Sequence, residues 1–163
     1  MTFRRAVAAT NTGLFASNSR VSIALIGGVV LADSLFKFFV HRWLPADGVP
    51  LLPGMTLRVF ENIRGPFGLL PLWLTVAVSA VVLLVAGSRW LRTPPRKEAR
   101  LLRRSLSLLV GGGIANIGER LFFGRTTDVV WIGNVTALNV ADIAILGGVL
   151  GLLAFSWRAR SFC

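Results

Sequence analysis

Four long apolar segments constrain the fold more than any other feature of this sequence. They are residues 21–40, 69–87, 105–123 and 138–157 of the 163-residue chain. An α-helix rises about 1.5 Å per residue, so about 20 apolar residues cross the roughly 30 Å hydrocarbon core of a membrane. The sequence therefore predicts an all-α integral membrane protein, with one four-helix domain over residues 20–157.

The basic residues of the chain predict the orientation of these spans. Lys and Arg outnumber Asp and Glu by 18 to 7, and seven of the basic residues lie in the segment 88–104. The loops at 44–68 and 124–137 contain three arginines between them. Basic residues concentrate on the cytoplasmic side of membrane proteins, so we expect both termini to be cytoplasmic and these two loops to be extracytoplasmic. This distribution favours contact with anionic lipid and disfavours a nucleic acid partner.

The segments outside the spans have distinct compositions. Residues 1–19 are polar, and we interpret them as a flexible cytoplasmic tail. Residues 44–68 are rich in Pro and Gly around the strand-like sequence MTLRVF, which predicts a small extracytoplasmic β-rich loop. Residues 88–104 are expected to form a basic cytoplasmic loop, and residues 158–163 a cytoplasmic C-terminus. Cys163 is the one cysteine, which excludes an intrachain disulfide.

The polar residues of the spans are predicted to share one depth. By helical rise, Asp33, Asn116 and Asp142 lie ~20, ~18 and ~24 Å from the cytoplasmic ends of their spans, in the outer half of the membrane. Lys37 and Arg120 lie further out. A charge within the hydrocarbon core costs at least ~2.5 kcal/mol, so such residues are candidates for function. We therefore expect a site near the extracytoplasmic surface.

Several of these charged residues need a partner. Asp33 and Lys37 are four residues apart on one helix face, so we expect a structural ion pair, with direct contact to a substrate as the alternative. Glu119 and Arg120 are adjacent in sequence and cannot face each other on a helix. Each of these two residues must therefore find its partner on another element.

The sequence offers no set of metal ligands. His41 is the one histidine, and no H-x-x-x-H spacing occurs. A zinc or iron site would lack ligands, so we expect no metal and no other cofactor. A Ser/His nucleophile is poorly supported, because His41 is expected at the membrane interface and would have to reach a serine there. The glycines at 111–113 favour close helix packing over a phosphate-binding loop.

Asp128 and Asp142 are the pair of residues that best fits a chemical function. Asp128 follows Gly124, an arginine and two threonines, which is typical of a loop, and Asp142 lies at the beginning of the last span. Two neighbouring carboxyls cannot both ionise comfortably, so they share a proton and titrate together. One carboxyl can then activate a water while the other polarises a carbonyl, as in aspartic proteases.

The same residues lie in blocks that resemble the lipoprotein signal peptidase (signal peptidase II) family. The resemblance covers roughly residues 31–152 and includes the order of all four spans. Its blocks are ADSLFK (32–37), ENIRGPFG (61–68), ANIGER (115–120), GRTTD (124–128) and LNVAD (138–142). Each block is weak by itself, but five blocks in the right order and at the right depth are specific.

The resemblance implies a function, a location and a set of site residues. Members of this family cleave bacterial prolipoproteins before a diacylglyceryl-modified cysteine, at the outer face of the inner membrane, with two aspartates and no cofactor. Asp128 and Asp142 correspond to the catalytic pair, and loop 44–68 to a β-rich cradle over the site. The positions that correspond to substrate binding are Asn62, Asn116, Arg120 and Asn139. We expect a multi-pass monomer whose partners are prolipoproteins and membrane lipid.

The chain departs from the family pattern at several positions. Glu119 replaces the usual Asp, and Arg64 and Pro66 replace small residues. The other departures are Ala115 for Gly, Thr126 for Val, Val129 for Phe and Leu138 for Phe. Since both candidate catalytic carboxyls are present, we expect a divergent enzyme with altered substrate preference. The alternatives are a non-catalytic relative that binds lipoproteins or lipid, and an ion conduit, which the apolar inner halves of the spans disfavour.

Overall fold

The computed structural model describes residues 2–63, 70–133 and 136–160, with side chains from residue 19 onward. These residues form four helices, α1 (Thr2–Trp43), α2 (Leu72–Arg92), α3 (Arg100–Phe123) and α4 (Val140–Arg160). They also form four strands, β1 (Val49–Leu52), β2 (Met55–Asn62), β3 (Thr126–Ile132) and β4 (Thr136–Leu138). Each helix contains a segment of 21 to 25 residues that is long and apolar enough to cross a membrane, which confirms the four predicted spans. Arg64, Pro66 and Cys163 lie outside the described residues.

Helix α1 extends further towards the N-terminus than the sequence suggested. Its backbone is helical from Thr2, whereas we expected a flexible tail over residues 1–19. Residues 2–18 contain four alanines and no proline. Alanine is the strongest helix former, and proline is the residue that would break the main-chain hydrogen bonds. The apolar part of this helix, Ser19–Trp43, contains the predicted span.

Helix α3 packs against the other three helices. Two glycines permit close approach of α4: a Cβ on Gly112 would lie 2.5 Å from the main-chain oxygen of Ala141, and one on Gly148 would lie 2.8 Å from that of Ser105. Small residues suit such interfaces, because lipid tails leave close packing as a main force between membrane helices. The contact at Gly112 fixes the first turn of α4, where Asp142 follows Ala141.

The helices expose apolar side chains and bury polar ones. Leu84 and Phe122 are 72% and 85% exposed, whereas Asp33 and Asn116 are 2% and 5% exposed. This is the reverse of the distribution in a soluble protein. It is the expected arrangement when lipid surrounds the bundle and polar groups must find partners inside it.

A buried arginine joins three helices at the end of the bundle away from the sheet. Arg103, near the beginning of α3, donates hydrogen bonds to Ser22 Oγ at 3.2 Å, to the main-chain oxygen of Trp90 at 3.0 Å and to that of Thr93. Its guanidinium carbon also lies 4.4 Å from the centre of the Trp90 ring. The accepting carbonyls belong to the C-terminal end of α2, where the helix dipole favours a cation.

The four strands form one antiparallel sheet in the order β1-β2-β3-β4. The predicted β-rich loop supplies β1 and β2, but β3 and β4 come from residues 126–132 and 136–138, where no strand was predicted. Asp128 therefore lies in β3, paired with Phe60 of β2, and the interpretation of Asp128 as a loop residue was wrong. The sequence TTDVVWI is rich in β-branched and aromatic residues, which favour strands, and pairing with β2 satisfies its main-chain groups.

Candidate active site

A cluster of buried and half-buried polar residues lies where the sheet meets the helix bundle. Its members are Asp33 and Lys37 of α1, Asn62 of β2, Asn116, Glu119 and Arg120 of α3, Asp128 of β3, and Asn139 and Asp142 at the beginning of α4. Asp128 and Asn139 are 3% and 1% exposed. The structure thus brings together every residue that the sequence suggested for the site, and adds Glu119 to them.

Two asparagines connect the candidate catalytic carboxyls. Asn139 Nδ2 donates to Asp128 Oδ1 at 2.8 Å and to Asn116 Oδ1 at 3.1 Å. Asn116 Nδ2 in turn donates to Asp142 Oδ1 at 2.8 Å. A continuous chain of hydrogen bonds therefore runs from Asp128 through the two amides to Asp142. The distances lie in the ordinary range for N–H···O bonds, so the chain fixes the relative position of the two carboxyls.

Asn139 and Asp142 also cap the N-terminus of α4. The Asp142 N–H donates to Asn139 Oδ1 at 2.8 Å, and the Asn139 N–H donates to Asp142 Oδ2 at 3.3 Å. This reciprocal arrangement is a capping box, which satisfies main-chain donors that the first turn of a helix leaves open. The sequence N-V-A-D at 139–142 carries that signal, since the two residues have the required spacing of three. The same bonds that begin the helix therefore orient the Asp142 carboxyl.

Burial gives the Asp128 carboxyl a raised pKa. Desolvation is the main cause and raises the pKa to about 6, and the nearby charge of Asp142 acts in the same direction. Hydrogen bonds from Asn62, at 3.1 Å to Oδ2, and from Asn139 oppose the shift, as does the charge of Lys37. A carboxyl with a pKa near 6 can both take up and release a proton near neutral pH, as general acid–base catalysis requires.

Lys37 forms ion pairs with two further carboxylates, Asp33 and Glu119. Each of these accepts a hydrogen bond from a main-chain N–H next to one of the two candidate catalytic aspartates. Lys37 Nζ lies 2.6 Å from Asp33 Oδ2 and 2.6 Å from Glu119 Oε2. The expected pairing of Asp33 with Lys37 is thus present, and Glu119 finds its partner on another helix. Asp33 Oδ1 accepts a hydrogen bond from the Ala141 N–H at 2.9 Å, and Glu119 Oε1 accepts one from the Thr127 N–H at 2.9 Å.

This ion-pair network has a consequence for the aspartates. Thr127 directly precedes Asp128, and Ala141 directly precedes Asp142. Each aspartate is therefore held twice, through its own side chain by an asparagine and through the preceding N–H by Asp33 or Glu119.

Arg120 supplies a buried cation to the same region. It lies close enough to Asp142, Asp128 and Glu119 to interact with their charges. Its Nε is buried and, among the described residues, has no hydrogen-bond acceptor. An unsatisfied buried donor costs roughly 1–3 kcal/mol, so it is a candidate for contact with a ligand.

A cavity of 520 Å³ opens beside the cluster, between α1 and α3. Its wall includes Asp33, Lys37, Glu119 and Thr127, and His41 also lines it. His41 is exposed, as expected for a residue at the end of the first span. The cavity therefore reaches the ion-pair side of the cluster.

Within the part of the chain that the structure describes, the carboxylates of the cluster have asparagine amides or the lysine ammonium group as partners. Asp128 and Asp142 accept from asparagine amides, and Asp33 and Glu119 contact Lys37. Within the described ranges, no group of three or more His, Cys, Asp or Glu side chains is arranged to hold a metal ion.

Comparison with known proteins decides the family. The family model for signal peptidase (SPase) II matches residues 25–158, which is most of the chain. The chain belongs to the signal peptidase II family. The family suggested by the sequence blocks is therefore confirmed. Family membership and the four apolar helices together indicate a multi-pass protein of the bacterial inner membrane.

Individual relatives of this signal peptidase II chain cover most of its length. The lipoprotein signal peptidase of Moorella thermoacetica is 32% identical over 133 residues, which cover 77% of this chain and 86% of that protein. The lipoprotein signal peptidase of Methylorubrum extorquens is 40% identical over 150 residues, which cover 83% and 84%. A solved bacterial membrane enzyme has the same fold, with a TM-score of 0.75 at 18% identity over 86% of this chain and 90% of that one.

Sequence reasoning missed two features of this site. The first is the contact between Glu119 and Lys37. Two signals for it were available, because Glu119 needed a partner on another element and Lys37 was expected at a depth similar to that of Glu119. The second is the use of main-chain donors, since nothing in the sequence shows that Asp33 accepts from the Ala141 N–H. Both features depend on how α1 packs against α3 and α4.

Proposed function

We propose that this chain is an aspartic endopeptidase that removes signal peptides from bacterial prolipoproteins, cleaving before a diacylglyceryl-modified cysteine. Asp128 and Asp142 form its catalytic pair. The observation that carries the proposal is the chain of hydrogen bonds through Asn139 and Asn116, which holds the two carboxyls at one site. The names of the relatives, lipoprotein signal peptidases, supply the substrate class.

The two carboxyls divide the proton transfers of peptide hydrolysis. The ionised carboxyl removes a proton from water, whose oxygen adds to the scissile carbonyl carbon. The protonated carboxyl gives its proton to the carbonyl oxygen, so a neutral tetrahedral diol forms. When the C–N bond breaks, the first carboxyl passes its proton to the leaving nitrogen and the second recovers a proton from the diol. The pair carries one proton throughout, and the raised pKa of Asp128 suits that exchange.

The neighbouring residues have separate tasks in this proposal. Asn62, Asn116 and Asn139 orient the carboxyls, since their amides already donate to them. A further role of these three asparagines in binding the substrate, which the family resemblance implies, remains a prediction. Arg120 is the residue we expect to bind the substrate backbone, because its buried Nε lacks an acceptor among the described residues.

The location of the reaction follows from charge and depth. The excess of basic residues in 88–104 predicts that this loop is cytoplasmic, so we expect the sheet and the polar cluster at the opposite, extracytoplasmic face. The acyl chains of the lipid-modified cysteine stay in the bilayer. The peptide bond next to that cysteine therefore lies at the membrane surface. We propose that the monomer acts there.

The test is cleavage of a diacylglyceryl-modified prolipoprotein by the purified protein in detergent. Asp128→Asn and Asp142→Asn should each lower kcat/KM by at least about 10³-fold, because each removes one proton carrier of the pair. Asp47→Asn is the matched control, since Asp47 is exposed and lies outside the cluster. Full cleavage in both variants would overturn the proposed pair. Binding of the prolipoprotein without any cleavage by the parent protein would favour the non-catalytic alternative.

A further inference from the structure

A second cavity lies at the basic end of the bundle, the end that carries residues 93–104 and the last turns of α4. Its volume is 640 Å³, and it lies between the beginning of α3 and the end of α4. The charged residues that line it are Lys97, Glu98, Arg100, Arg104 and Arg158. Two helices and the preceding loop thus direct four cations and one carboxylate to one cavity.

The charge of this cavity is not balanced within the described part of the chain. The ion pairs found there join Lys37 to Asp33 and Glu119, and Arg125 to Glu61, none of which lines the cavity. Like charges that converge in one place repel each other. The four basic residues are exposed, so water screens part of this repulsion, and a bound anion would reduce the rest. The cavity is therefore suited to an anionic ligand.

The wall of the cavity also has an apolar part. Leu101 of α3 and Phe155 of α4 line it and are half-buried, and both belong to segments that are apolar enough to span a membrane. A ligand that fits must combine an anionic head with apolar chains that lie along the helices. Basic pockets between membrane helices bind phosphate headgroups of lipids in this way.

We propose that this cavity binds the phosphate headgroup of an anionic phospholipid in the leaflet that contacts the basic end. A signal peptide is an unsuitable occupant, because its N-terminal region is positively charged and would be repelled. The inference is independent of the proposed peptidase activity, since it rests on residues of the opposite end of the bundle.

The test compares lipid binding by matched variants of the full chain. The purified protein is titrated in detergent with phosphatidylglycerol or phosphatidylcholine, and bound lipid is counted by native mass spectrometry. Arg100→Gln with Arg158→Gln removes two cations from the cavity. Arg89→Gln with Arg92→Gln removes two exposed cations from the end of α2, which does not line it. Melting temperatures in phosphatidylcholine show whether both variants are folded.

The expected result is a selective loss. A basic residue near an anionic lipid contributes about a factor of 5 in affinity, so Arg100→Gln with Arg158→Gln should weaken phosphatidylglycerol binding about 25-fold. Arg89→Gln with Arg92→Gln should keep the affinity of the parent protein. Equal weakening in both variants would overturn the proposal in favour of diffuse charge attraction. Competition by glycerol 3-phosphate at the same concentration as the lipid would overturn it in favour of a site for free phosphate esters.

Discussion

Replacing Lys37 with methionine tests whether the ion-pair network supports the candidate active site. Methionine has a similar length and keeps the apolar contacts of the stem, but it removes the charge between Asp33 and Glu119. The side chains of these three residues are 10%, 3% and 15% exposed, and both N···O distances are 2.6 Å. The variant therefore leaves two buried carboxylates without their cation.

The magnitude of the effect follows from that burial. Removing one partner of a buried ion pair costs about 3–5 kcal/mol, because an unpaired charge is left in a poorly solvated place. Arg125→Met is the matched control, since it also deletes one cation of a pair, with Glu61 at 3.1 Å. That pair is exposed, at 42% and 45% of its side chains, so its loss should cost about 0–1 kcal/mol.

Two assays are needed. Unfolding in mixed micelles gives the free energy of unfolding of each variant, and cleavage of a lipidated prolipoprotein gives its kcat/KM. We expect Lys37→Met to lose the larger free energy and to lower kcat/KM, because Thr127 and Ala141 are no longer held beside the aspartates. Adding Asp33→Asn and Glu119→Gln should restore part of the stability, since the unpaired charges disappear while the acceptor oxygens remain. Equal losses for Lys37→Met and Arg125→Met would refute the reasoning.

Three further predictions follow from the site. Asn139→Ala should lower kcat/KM by about 10²-fold, because it removes an amide bound to Asp128. It should also lower the free energy of unfolding by about 1–2 kcal/mol, because it removes a helix cap. Kinetic and unfolding measurements on the same variant test both effects. Asp128 has a folded pKa of about 6 against an ordinary 3.8, so the folded state binds its proton more tightly and should lose about 3 kcal/mol of stability as pH rises from about 3 to about 7. Asp128→Asn should abolish that slope in pH-dependent unfolding, and an unchanged slope would assign it to other groups. Gly112→Ala should cost about 1–3 kcal/mol through its clash with Ala141, whereas Gly87→Ala, with nothing within 4 Å, should not destabilise the protein in the same melting assay.

Hydropathy was sufficient to predict the four-helix framework of this fold. A membrane span needs a long apolar segment whatever its neighbours are, so each span can be recognised without knowledge of the others. The depth of a polar residue within a span follows from helical rise alone. For this reason, Asp33, Asn116 and Asp142 could be assigned to one layer before their contacts were known.

The sheet and the network around Lys37 could not be predicted in the same way. Asp128 disfavours a strand by itself, although the β-branched and aromatic residues around it favour one, and the strand that pairs with this segment, β2, lies far away in the sequence. Glu119 needed a partner, but 82 residues separate it from Lys37. Such contacts depend on the packing of α1 against α3, which local patterns do not contain.

The pairing of β2 with β3 also determines when the site can exist during synthesis. The chain between these strands contains α2 and α3, so β2 has its partner only after both of those helices have been synthesised. Until then β2 has an unpaired edge, and Asp128 and Asn139 have not yet reached the bundle. The proposed catalytic pair is completed by α4, which follows the other three described helices in the chain. A chain in which α4 has not yet inserted therefore lacks the arrangement that we propose for cleavage, so we expect a newly made molecule to become active only after that step.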